Sequence, residues 1–112
     1  PKRSGNSFSR LDFVEMGALT FEKPDYEAFP CLRLAFDAIK TGGTMPVVLN
    51  ATNEAAVEFF IKRKIKFTDI PKIIKYVMLR HCVNTNPDLD DIIEVDRWSR
   101  EQARTAALSS LY

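Results

Sequence analysis

The stretch LNATNEAAVEFF, residues 49–60, decides the fold. At 100° per residue, Val48, Ala51, Ala55 and Phe59 form one stripe, Leu49, Ala56 and Phe60 widen it, and Val57 and Ile61 sit nearly opposite. A helix that is apolar on most sides is a central one, wrapped by others. It nevertheless carries Asn50, Thr52 and Asn53, whose short polar side chains compete for backbone hydrogen bonds and make poor helix formers. Asn50, Asn53 and Glu54 fall at i, i+3 and i+4, clustered on an arc around Val57. On a central helix such groups must find partners, or each costs about 1–3 kcal/mol. We read Asn50, Asn53 and Glu54 as a structural polar clamp. Glu54 alone makes a poor metal site, and no second carboxylate or His is near it in sequence.

The flanking segments supply the wrapping helices. Cys31, Leu34, Ala35, Ala38 and Ile39 follow the i, i+3, i+4, i+7, i+8 series after Pro30, and Gly42-Gly43 stop that helix. Thr44 is then placed to cap the central helix, with Pro46 in its first turn. Ile70, Ile73, Ile74, Val77 and Met78 mark a third helix, with Thr68 as its cap and Asp69 against the helix dipole. After the loop 82–88, a fourth helix starts at Asp88 or Asn86. It runs from about Leu89 to Leu108 and buries Leu89, Ile92, Ile93, Ala103, Ala106 and Ala107. Within it Asp96 and Arg100 form an i, i+4 ion pair. The sequence thus predicts an all-α fold, a small four-helix bundle over residues 28–112.

Ahead of the bundle, LDFVEMGALTF (11–21) alternates apolar and polar residues. Leu11 and Phe13, then Leu19 and Phe21, share a side if extended. Residues 11–27 are expected to form an extended linker with one or two short strands. Residues 1–10 are polar apart from Phe8 and are expected to be a disordered tail. The chain begins at Pro1, and we expect it to be an excised piece of a longer protein.

Composition narrows the function classes. In 112 residues, 16 Lys and Arg balance 15 Asp and Glu, which removes any bulk electrostatic drive toward nucleic acid or an anionic membrane. The basic run KRKIK (62–66) is divided by Ile65 and reads as a solvated helix end. No apolar run approaches the roughly 18 residues of a transmembrane helix, and PKRSGNSFS lacks the apolar stretch of a signal peptide. Two cysteines make no disulfide scaffold. The pair His81-Cys82 lacks the spaced ligands of a zinc site, and His81 reads as a helix C-terminal residue. Gly42-Gly43 has no preceding strand and no downstream glycine, so it is no phosphate loop. We assign no catalytic, cofactor-binding or metal-ligating residue.

The stretches LDFVEMGALTFEKPD, FPCLRLAFDAIKTGGT, VLNATNEAAVEFF, IKFTDIPKII and DLDDIIEVDRWSREQA, spanning about residues 11–111, together resemble the 1-deoxy-D-xylulose 5-phosphate reductoisomerase family. The match is to its linker and C-terminal helical domain. Thr52 departs from the pattern, since the family usually has Ala there, as in LNAANE. The resemblance implies a parent that is NADPH-dependent and uses a divalent cation, Mg or Mn. It would convert 1-deoxy-D-xylulose 5-phosphate to 2-C-methyl-D-erythritol 4-phosphate in non-mevalonate isoprenoid biosynthesis. It further implies a homodimer, in a bacterial cytoplasm or a plastid, with NADPH-binding and catalytic domains upstream. This chain would pack beside the catalytic domain of the same parent and be inactive alone. The competing expectation is an independent helical protein-interaction module that offers an apolar groove to a partner helix.

Overall fold

The structure, a computed structural model, describes residues 11–109, 111 and 112, together with Gly5 and Phe8. The expected tail over residues 1–10 otherwise lies outside the described residues. Helices α1 (Phe13–Met16), α2 (Pro30–Thr41), α3 (Met45–Ile61), α4 (Ile70–Arg80) and α5 (Leu89–Ser109) follow in order, with a 3₁₀ turn at Phe67–Asp69 ahead of α4. Helices α2 to α5 make the bundle, and α3 packs against the other three.

The core follows the periodicities in the sequence. Val48, Ala51, Ala55 and Ala56 of α3 are buried with Ile70, Ile73, Ile74 and Val77 of α4 and Ala103, Ala106 and Ala107 of α5. Small residues on α3 and α5 let the two helix backbones approach closely. The predicted stripes are wider than the buried faces, however: Ile39, Leu89 and Ile93 are exposed.

The expected short strands are not there: among the described residues no strand forms between 11 and 27. The Asp12 carboxylate instead accepts the Val14 and Glu15 N–H groups at 2.8 and 3.3 Å and caps the single turn α1. A strand needs a neighbour for its N–H and C=O groups, and the described residues offer no other strand to pair with it. Residues 11–29 form an arm, exposed along its length apart from half-buried Met16. The radius of gyration is 18.3 Å, against about 13 Å for a compact chain of this length, so the arm stands off the bundle. It ends where the Asp25 carboxylate takes the Glu27 and Ala28 N–H groups, both at 2.9 Å, just before Pro30 opens α2.

Two expected caps are displaced. Thr44 sits at the N-cap of α3, but its hydroxyl makes no cap bond there. Before α4, Asp69 rather than Thr68 holds the N-cap position, but without a side-chain bond to the helix; its carboxylate accepts the Lys66 N–H at 3.0 Å, across the 3₁₀ turn, and pairs with Lys72 at 2.8 Å. Asp88 does open α5: it accepts the Asp91 N–H at 2.8 Å, and Asp91 returns a bond to the Asp88 N–H at 3.1 Å.

Candidate functional site

The three polar residues of α3 do not act as one group. Asn50 donates to Glu54 Oε1 at 3.1 Å, and Arg100 of α5 donates to Glu54 Oε2 at 2.7 Å. The same guanidinium binds Asp96 through Nε at 2.8 Å and Nη2 at 3.1 Å. Asn50, Glu54, Arg100 and Asp96 therefore form one chain of charge-assisted bonds joining α3 to α5. The Arg100 bond, then that of Asn50, hold the Glu54 carboxyl below its usual range, and Arg100 is in turn held more firmly protonated by Asp96 and Glu54. A carboxylate kept ionised by a guanidinium is unsuited to donating a proton. Its side chain is half exposed, so solvent screens the pair.

Asn53 points elsewhere. It is half-buried in a groove of about 520 Å³, beside Val57 and between the start of α2 and the 3₁₀ turn. Among the described residues its carboxamide has no hydrogen-bond partner.

The other sequence candidates separate in space. His81 turns inward at the end of α4, with Nε2 2.6 Å from Thr44 Oγ1 and its ring 5.4 Å from that of Trp98. Burial pushes the His81 pKa below its ordinary value. Cys82 is exposed, and Cys31 is half-buried with its thiol pKa raised by burial. In the basic run, Lys62 pairs with Glu58 one turn earlier, and Arg63 takes a positive φ of 55° to end α3.

The described residues form no metal centre and no dinucleotide-binding unit. Among the described residues no three His, Cys, Asp or Glu side chains come together. Nor do the described residues include a strand to lead a glycine loop into a helix, the unit that seats a dinucleotide. No helix among the described residues is long and apolar enough to cross a membrane.

Sequence reading missed two features. One is the contact of Thr44 with His81 and with the Asn84 N–H, at 3.1 Å, between residues 37 and 40 positions apart. The other is the groove itself, whose lining comes from three separate segments. Its one signal was Asn53, a polar residue on the arc around Val57.

Comparisons with known proteins agree with this geometry. The family model for the DXP reductoisomerase C-terminal domain matches residues 1–102. The 1-deoxy-D-xylulose 5-phosphate reductoisomerase of Acetivibrio thermocellus is 61% identical over 101 residues, covering 90% of this chain and 26% of that protein. That of Ruminiclostridium cellulolyticum is 53% identical over 104 residues, covering 93% of this chain and 27% of that protein. The solved structure of 1-deoxy-D-xylulose 5-phosphate reductoisomerase from Zymomonas mobilis in complex with NADPH superposes with a TM-score of 0.81 at 41% identity. It covers 96% of this chain and 28% of that one. The chain thus spans about a quarter of the length of the relatives it matches. These matches give no support to an independent interaction module.

Proposed function

The chain belongs to the DXP reductoisomerase C-terminal domain family, and from that premise we propose that it completes an enzyme converting 1-deoxy-D-xylulose 5-phosphate to 2-C-methyl-D-erythritol 4-phosphate. The single observation that carries this reading is the 61% identity to such an enzyme across 90% of the chain. In the proposed parent, NADPH supplies the hydride and a divalent cation, Mg or Mn, assists. We assign both to upstream domains. The parent works as a homodimer, in a bacterial cytoplasm or a plastid.

Within that enzyme, residues 11–27 are a linker and 28–112 a helical domain packed beside the catalytic domain. Asn50, Asn53 and Glu54 are its clamp, acting as two separate parts. Asn50 and Glu54 tie α3 to α5 through Arg100, and Asn53 faces outward. Alanine at all three positions lowers the stability and activity of the full-length protein; a triple variant equal to wild type would sink the clamp.

The activity itself is tested on two preparations. The full-length protein oxidises NADPH when given the sugar phosphate and magnesium. The 112-residue chain alone gives no turnover and no saturable NADPH binding by calorimetry, with or without magnesium. Micromolar binding to the isolated chain would overturn the assignment of the cofactor to upstream domains.

A further inference from the structure

We propose that the groove beside Asn53 seats an extended segment of the chain that precedes the arm. This rests on the reading above, that the chain is the C-terminal domain of a longer enzyme. The groove holds about 520 Å³, and Phe29, Val57, Phe67, Ile70 and Pro71 make it almost wholly apolar. Phe29 and Phe67 are 64% and 66% exposed. Scattered exposed apolar residues are ordinary, but a contiguous set lining a concavity marks an interaction surface.

Three observations identify the occupant. The first is the tether. The groove's lip is made by Glu27–Cys31, the residues through which the arm enters α2. Whatever lies at the far end of the arm is therefore tied to the groove's mouth. The second is length. Roughly three-quarters of the relatives' length lies outside the match, and the matched family is a C-terminal domain, so that length precedes the arm. The third is Asn53. Its unpartnered carboxamide offers donors and an acceptor side by side, the pattern complementary to a peptide group. An extended backbone with a free N–H and C=O satisfies both, while its side chains fill the apolar floor.

Cys31 lines the groove and serves as the reporter. The experiment compares its alkylation by iodoacetamide in the 112-residue chain and in the full-length protein, read by mass spectrometry of the Cys31 peptide. Amide exchange of residues 11–26 is followed in the same samples. The expected result is a rate at least tenfold lower in the full-length protein, partly restored by Asn53→Ala. An unchanged Cys31 rate with a protected arm would overturn the groove while leaving the wider reading intact. An unchanged rate with an unprotected arm would overturn both. Protection in the isolated chain that fades on dilution would assign the groove to a second copy and also overturn the proposal.

Discussion

Thr44 Oγ1 stands 2.6 Å from His81 Nε2 and accepts the Asn84 N–H at 3.1 Å, so one fully buried hydroxyl joins the start of α3, the end of α4 and the loop before α5. With the imidazole neutral, Nε2 accepts the hydroxyl proton while the oxygen accepts from Asn84.

Stability should follow the charge on His81. Burial holds its pKa below the ordinary 6.5 in the folded chain, so on acidification the unfolded chain takes the proton first. Stability is therefore full above that value and falls as the pH drops below it, through the folded pKa. Urea unfolding at about pH 7.5 and about pH 5.5 should show a loss in the wild type and a smaller one in His81→Gln. Equal losses in the two proteins would remove His81 as the cause.

Two threonines of the same helix, Thr44 at its N-cap and Thr52 in its middle, should respond oppositely to valine. Thr44→Val strands the Asn84 N–H and the His81 nitrogen, which costs about 1–3 kcal/mol. Thr52 is equally buried, but its hydroxyl finds no hydrogen-bond partner. Thr52→Val keeps the shape, drops the stranded group and should gain about 1 kcal/mol. Denaturant midpoints that move the same way in both variants would contradict the bonding described.

Gly42 and Gly43 both have positive φ, 71° and 53°, yet only one is crowded. A Cβ on Gly43 would lie 2.2 Å from the Asn84 carbonyl oxygen, whereas one on Gly42 meets nothing within 4 Å. That carbonyl also accepts the Thr44 N–H at 3.0 Å. Gly42→Ala should cost about 1–3 kcal/mol from the backbone alone, since φ 71° with ψ −157° is a conformation that essentially only glycine adopts. Gly43→Ala should cost clearly more, since the loop must give up the Thr44 bond to make room. Equal melting temperatures would show that the turn yields freely.

Ile74 lies at the centre of the α4 stripe and is 1% exposed. Ile74→Ala should cost about 2–5 kcal/mol. A loss below about 0.5 kcal/mol, the range of an ordinary surface substitution, would mean that the helical phase is wrong.

The contrast between Ile74 and Thr44 marks how far the sequence could be read. Ile70, Ile73, Ile74 and Val77 repeat at helical spacing, so local order alone identifies α4 and its buried face. Periodicity gives the direction of a face, not how much of it a neighbour covers, and Ile93 of α5 stays exposed for that reason. Phe13 shows a second limit: alternation suggested a strand, but strands require partners, and the Asp12 cap gave the backbone a local alternative. The polar cluster on α3 was visible as a cluster. That Glu54 would reach Arg100 while Asn53 turned to the groove depends on residues 46 positions away and on the packing of α2.

The exposed arm also changes the arithmetic of association. A domain held on a short tether meets its neighbour at an effective concentration near the millimolar range. A contact with a dissociation constant of about 0.1 mM, useless between separate molecules at micromolar levels, then keeps the two joined most of the time. A single proteolytic cut among residues 17–24, with every buried residue left in place, would turn that attachment into a bimolecular one and release the bundle intact.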